Sequence, residues 1–136
     1  MQISPYLTFN GDCEQAFAFY ADVFGVTPTV LMRFKDFPGP KQTPDSWDGK
    51  IMHAQIDIGA AQLMGSDQND ERYARPQGLM VNLTVETPAE VERIFNELSA
   101  GGQITMPMVE TFWAQRFGML VDRFGVPFMI GCNKAR

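Results

Sequence analysis

Apolar and polar positions along this chain repeat with two different periods, and the switches between them mark its elements. Ser4 to Gly11 (SPYLTFNG) reads as a strand that runs into turn residues. From Asp12 to Gly25, Ala16, Phe19, Tyr20, Val23 and Phe24 recur at i, i+3, i+4, i+7 and i+8, the buried stripe of a helix. Asp12 is placed to cap it, Gln15 stands at the capping-box position and Gly25 ends it. TPTVLMRF follows as a strand, then a polar loop rich in Pro and Gly (KDFPGPKQTPDSWDGK), then a hairpin from IMHAQIDIG and AQLMGSD. After the polar stretch DQNDERYARPQG the order restarts. LMVNLTVET predicts a strand. PAEVERIFNELSAGG predicts a helix with Thr87 as cap, Pro88 in its first turn and the stripe Val91, Ile94, Phe95 and Leu98. QITMPMVE is a further strand, and RFGMLVDRFG with VPFMIGC closes the chain as a hairpin turning at Phe124 and Gly125.

The order βαβββ therefore occurs twice. Leu7 and Leu83, Thr8 and Thr84, Glu14 and Glu90, Phe19 and Phe95, and Gly25 and Gly101 share one offset of 76 positions. The hairpin glycines Gly59 and Gly125 match at a shorter offset, because the first half carries the extra loop. This predicts a single α+β domain over 1–136, made of repeats 1–66 and 78–133 joined by a linker at 67–77. A module this small cannot bury its sheet alone, so each helix covers one sheet face and the other faces enclose a cleft.

Composition narrows the function classes. The 136 residues are 45% hydrophobic and 20% charged, with a formal net charge of −5. That balance argues against nucleic acid and against an anionic membrane surface as partners. No apolar run is long enough to span a bilayer, and the first residues lack the basic flank and apolar core of a signal peptide, so a cytoplasmic protein is expected. Cys13 and Cys132 fit no metal or redox spacing and read as free thiols.

Three stretches, SPYLTFNGDCEQAFAFYADVFG, MHAQIDIGAAQLMGSD and ETFWAQRFGMLVDRFGVPFMI, resemble the vicinal oxygen chelate superfamily of glyoxalases, bleomycin-resistance proteins and extradiol dioxygenases. Within it the chain is most similar to the PhnB-like branch, labelled demethylubiquinone methyltransferase-like; Phe128 departs from the Trp more usual there. The resemblance implies two βαβββ modules forming a cupped eight-stranded mixed sheet with helices outside, and a homodimer. It also implies a divalent metal held by His, Glu or Gln at four positions, which fall here on Pro5, Met64, Met80 and Met129. Proline has no ligating atom and thioethers suit soft ions, so no metal and no cofactor are expected.

His53, the one histidine, stands in IMHAQIDIG. Strand alternation puts Met52, Ala54, Ile56 and Ile58 toward the helix and His53, Gln55 and Asp57 on the other face. Gln62, Met64, Met80, Asn82, Thr84 and Met129 face the cleft by the same alternation. Phe117 and Met119 follow, with Met119 taken as the repeat partner of His53. The resemblance places Pro5, Leu7 and Phe9 toward the cleft as well. The cleft is then lined mainly by Met and Phe with a few amides and one imidazole, which suits an apolar or aromatic small molecule. Trp113 could stack on such a ligand and Arg116 hold an anionic group, or Phe112 and Trp113 could bury a loop or a subunit contact. His53 is a candidate catalytic base, a ligand-binding group or a structural residue. Cys13, near a helix start, could have a lowered pKa. The loop Lys35 to Asp48 is a lid, a subunit arm or a plain excursion. The expected function is small-molecule binding, the alternative a lyase, isomerase or transferase using the same cleft.

Overall fold

The computed structural model describes residues 1–68 and 71–135. The chain forms two compact units, Met1–Ala74 and Arg75–Arg136. In the first, β1 (Tyr6–Phe9) leads into α1 (Cys13–Phe24), then β2 (Val30–Arg33), β3 (Ile51–Ile58) and β4 (Ala61–Asp67). In the second, β5 (Val81–Thr84) leads into α2 (Pro88–Ser99), then β6 (Gln103–Val109), β7 (Ala114–Val121) and β8 (Pro127–Asn133). The eight strands divide into two four-stranded sheets, ordered β1-β4-β3-β2 and β5-β8-β7-β6. In each, the first strand runs parallel to the last and the other pairings are antiparallel. The duplicated α+β order read from the sequence is thus the architecture. Asp67 belongs to β4 rather than to the linker, and the linker positions Asn69 and Asp70 lie outside the described residues.

Each helix buries one stripe on its own sheet. On α2 the stripe is Val91, Ile94, Phe95 and Leu98, as its periodicity predicts. Thr87 accepts the Glu90 N–H through its side chain, satisfying one of the donors that a helix start leaves unpaired. On α1 the stripe is turned by about one residue from its expected place. Cys13, Ala16, Phe17, Tyr20 and Val23 are buried, while Phe19 and Phe24 are only partly covered. Gly25 ends α1 with φ 67°, where a left-handed residue lets the chain leave the helix.

Asp12 does not cap α1 through its side chain. Asp67, on β4, does the work from across the unit. Its Oδ1 accepts from Gly11 N and Cys13 N, both at 3.0 Å, and its Oδ2 accepts from Ile51 N at 2.9 Å. One carboxylate, 3% exposed, therefore ties the start of α1 to β3 and β4. Asp122 does a similar local task in the second unit, accepting from Phe124 N and Val126 N at the turn before β8.

The strand ladders fix which side chains share a face, because paired residues project to the same side. In the first sheet Leu7 pairs with Gly65, Gly65 with Ala54 and Leu63 with Ile56. These positions face α1, and all of them are buried. In the second sheet Val81 and Leu83 pair with Phe128 and Ile130, which pair with Leu120 and Gly118, facing α2.

Candidate functional site

The sheet face that α1 leaves uncovered carries the polar chemistry of the first unit. Tyr6 pairs with Met64, and Met64 with Gln55; Gln62 pairs with Asp57. His53 lies on this face with Met32 as its neighbour on β2. The Tyr6 and His53 rings stack, centroids 5.7 Å apart and planes 23° from parallel. The Tyr6 hydroxyl lies 3.1 Å from His53 Nδ1, within hydrogen-bonding reach. Beside them, Asp57 accepts from Gln55 Nε2 at 3.0 Å and from the Thr29 hydroxyl at 2.8 Å. These bonds, the one from Gln55 foremost, hold its carboxyl below the usual range, so it is an anion that already has partners. Gln62 accepts from Gln2 Nε2.

Two expected members of this face point the other way. Leu7 and Phe9 are 4% and 1% exposed, and Phe9 meets Phe17 of α1 edge-on at 6.1 Å. The reason is alternation within the four-residue strand YLTF. Its two most apolar side chains go to the helix, which leaves Tyr6 and Thr8 on the open face. Tyr6 was the residue missed, and that alternation was the signal for it. Met52 also departs from its expected place. The ladder shifts between Met32 and Arg33, opposite Ile51 and Met52. A bulge there returns Ile51 to the core and turns Met52 into a cavity under the loop that precedes β3.

In the second unit the uncovered face is mainly apolar. Asn82 pairs with Met129, Met129 with Met119 and Met119 with Met106, so three thioethers cross three strands in register. Phe117, paired with Gly131, stands alongside and is covered edge-on by Trp113 at 5.4 Å; Trp113 is itself 44% exposed. Met80 precedes β5 and is also exposed. Arg116 is not on this face. It alternates with Phe117 toward α2, where its guanidinium pairs with Glu92 through Nε at 2.8 Å and Nη2 at 2.6 Å. It is committed to a structural ion pair and does not sit ready for a ligand.

The ladders also correct the repeat. Met64 pairs with Gln55 as Met129 pairs with Met119, so Gln55 and Met119 are equivalent, and His53 corresponds to Phe117. Tyr6 corresponds to Asn82. The same position on the two faces thus holds a polar ring group in the first unit and an apolar or amide side chain in the second.

The residues present do not fit a divalent metal of the oxygen- and nitrogen-preferring kind. In register, Tyr6 rather than Pro5 stands beside Met64, and Asn82 rather than Met80 beside Met129. These four positions offer a phenol, an amide and two thioethers, and the one imidazole beside them, His53, is engaged with the Tyr6 hydroxyl, so the carboxylates and multiple imidazoles such ions favour are not assembled. Among the described residues no three His, Cys, Asp or Glu side chains are grouped to hold one. Cys13 supplies no reactive thiolate either. Burial, followed by the nearby charges of Asp67, Asp12 and Glu14, pushes its thiol far above the ordinary value, opposite to the lowering that a helix start alone would give. Asp12 is likewise raised, chiefly by burial.

The loop between β2 and β3 is built rather than loose. Phe34–Asp36 and Asp45–Trp47 are 3-10 turns, and its stem is held by Phe34 N to Lys50 O at 3.0 Å and Lys35 N to Asp48 O at 3.2 Å. Lys41 pairs with Asp45 and, at 2.9 Å, with Asp48. Two cavities lie against it, of about 340 and 870 Å3, both bordered by Phe34, Gln42, Thr43 and Met52.

Residues 1–131 match the family model described as 3-demethylubiquinone-9 3-methyltransferase. The chain is 35% identical to protein YjdN of Escherichia coli (strain K12) over 98% of its own length and 97% of that protein. Among solved structures it is similar to protein PA1353 from Pseudomonas aeruginosa, with 43% identity, a TM-score of 0.87 and 99% of each chain covered. It is also similar to a putative 3-demethylubiquinone-9 3-methyltransferase, PhnB protein, from Bacillus cereus. That match has 25% identity, a TM-score of 0.77, and coverage of 97% of this chain and 99% of that one. No helix among the described residues is long and apolar enough to cross a membrane.

Proposed function

The chain belongs to the 3-demethylubiquinone-9 3-methyltransferase family, the PhnB-like branch of the glyoxalase and bleomycin-resistance fold, and from that footing we propose that it binds an apolar or aromatic small molecule on its helix-free sheet faces. The observation that carries this reading is the Tyr6–His53 stack beside Met64. Two rings and a thioether offer an aromatic ligand contact area, while the hydroxyl and imidazole offer hydrogen bonds. Asn82, Met119, Met129 and Trp113 give the second unit a softer wall of the same kind, which adapts to varied shapes. Binding proceeds without a divalent metal, since the donor set suits none. The exposed Phe112 and Trp113 are apolar surface that a second copy would cover, which supports a homodimer. The two free, buried cysteines are in keeping with a cytoplasmic setting.

The methyl transfer in the family's description finds no support in the first strand-to-helix turn. A nucleotide-like cofactor is commonly cradled by open backbone N–H groups on a glycine-rich turn. Here Gly11 N and Cys13 N are taken by Asp67 and are not open to such a cofactor. A second reading rests on one distance. The Tyr6 hydroxyl, 3.1 Å from His53 Nδ1, would let His53 act as a general base in a lyase, isomerase or transferase reaction on the same face.

A thermal-shift screen of small aromatic compounds tests the binding reading, because a ligand of the folded state raises the midpoint by mass action. Hits should lose about tenfold in affinity with His53→Ala, roughly the worth of one hydrogen bond plus stacking surface. Hits that bind His53→Ala and Met64→Ala as tightly as the native chain would place the ligand elsewhere. Turnover of a hit, lost in His53→Gln, would favour the enzyme.

A further inference from the structure

The larger loop cavity is bordered by none of Tyr6, His53, Gln55, Gln62 or Met64, so it is distinct from the face site. We propose that it is a second ligand site, for a small organic anion with an aromatic or apolar body, and that Lys50 is the charge that holds the anion.

Three features support the class of ligand. The first is Lys50 itself. It borders the cavity half-buried, and among the described residues it makes none of the carboxylate ion pairs that occupy Arg33, Lys41, Arg93, Arg116 and Lys134. Its ammonium lies over the backbone of Gly11, where an added Cβ would meet Nζ at 2.6 Å. Gly11, at φ 95°, thus leaves the space that the ammonium occupies. The second is the state of the acidic groups. Asp67 borders the cavity, but its carboxylate is already matched by three backbone N–H groups, so it does not neutralise Lys50 by direct pairing. Asp12 feels the Lys50 charge but forms no ion pair with it among the described residues. Glu71 and Arg72 border the same space and balance one another in charge. The third is the apolar part of the same lining. Phe34 and Trp47 meet edge-on at 5.2 Å, and the bulge at Met52 turns its thioether into the same cavity. Asn10, Thr43 and Ser66 add neutral hydrogen-bonding groups. A cation in the same lining as an indole, a phenyl ring and a thioether matches an aryl carboxylate or aryl phosphate. A bare inorganic ion would leave the wall unused, and a neutral arene would leave the ammonium unpaired.

The loop that makes this wall has no counterpart between β6 and β7, where Val109 and Ala114 are separated only by a short turn. The site is therefore an addition to one repeat, independent of the chemistry shared by both.

Benzoate and phenyl phosphate are the probes, with benzyl alcohol as the neutral control. The readout is Trp47 fluorescence in a Trp113→Phe chain, which retains Trp47 as its one tryptophan. Both anions should change that fluorescence saturably, and benzyl alcohol should bind at least tenfold more weakly. Lys50→Met should weaken the anions at least tenfold, with Lys50→Arg restoring most of the loss. Gln42→Glu, an exposed change that adds a negative charge at the rim, should weaken them severalfold without touching Lys50. Failure of both anions to bind at millimolar concentration would overturn the proposal. So would equal affinity for benzyl alcohol, anion binding unchanged in Lys50→Met, or anion binding unchanged in Gln42→Glu. None of these results depends on a ligand at Tyr6 and His53, so this site and the face site stand or fall separately.

Discussion

At the scale of single residues, Asp67 shows how one side chain can replace a cap that its own helix lacks. It serves Gly11 N, Cys13 N and Ile51 N from within β4. The equivalent position in the second unit is Cys132, whose Sγ reaches Glu86 O at 3.2 Å, while Thr87 caps α2 locally. The two units therefore solve the same problem by different chemistry, one of them across the sheet. Asp67→Ala would leave three backbone donors without their acceptor. It should destabilise the chain by about 3 kcal/mol, since each unmatched buried group costs about 1–3 kcal/mol and some will find water. Asp67→Asn, which keeps an acceptor but places an NH2 against an N–H, should fall between. Urea unfolding measures both, and a loss under about 1 kcal/mol for Asp67→Ala would show that the donors re-pair. Nothing in the sequence around Asp67 gave it this task, because its partners are Gly11, Cys13 and Ile51, remote in the chain. Tyr6 was legible in principle. Reading the alternation of YLTF by hydrophobicity, rather than by resemblance, puts Leu7 and Phe9 on the helix and Tyr6 outside.

At the scale of elements, periodicity was a good guide where a helix is amphipathic and a poor one where it is not. The stripe on α2 is sharply bounded by charged residues, and it appears as read. On α1 apolar residues run nearly all round, so the rotation that buries Phe17 rather than Phe19 is set by packing. The packing partner is visible in the glycines. A Cβ at Gly65 would lie 2.8 Å from both Phe17 and the Leu7 carbonyl oxygen, and one at Gly118 would lie 2.7 Å from Phe95. Each sheet thus leaves out a side chain where a helix phenylalanine lies down on it. Gly65→Ala and Gly118→Ala should each cost about 1–3 kcal/mol through overpacking. Gly49→Ala, with open space around it, should stay within about 0.5 kcal/mol of the native chain. Denaturant midpoints at unchanged m-value would report this, and a neutral Gly118→Ala would mean that Phe95 is free to move aside. The succession of strands along the chain and the hairpin turns were legible because turn residues punctuate them. The bulge at Met52 was not, because a one-residue insertion leaves no mark in an apolar run.

At the scale of the whole molecule, duplication made the fold readable while divergence hid the site. Matching residues at one offset were enough to establish two βαβββ units. They did not give the pairing of equivalent side chains across strands, which requires the ladders. Those ladders set Tyr6, His53 and Gln55 in one unit against Asn82, Phe117 and Met119 in the other. The consequence is testable in bulk. A duplicated fold that used a divalent cation would need O and N donors from its repeats, and the second repeat offers thioethers, one amide and one hydroxyl. Manganese, nickel or zinc at modest excess should therefore leave the thermal midpoint of the native chain unchanged, and removal of metal by a chelator should do the same. A midpoint raised in proportion to the logarithm of free metal, and reversed by chelation, would show a site that these donors do not explain. Soft ions are a separate case. Met106, Met119 and Met129 stand in register, and three thioethers favour monovalent copper over the harder ions, so a response confined to copper(I) would point to that row rather than to the family's usual positions.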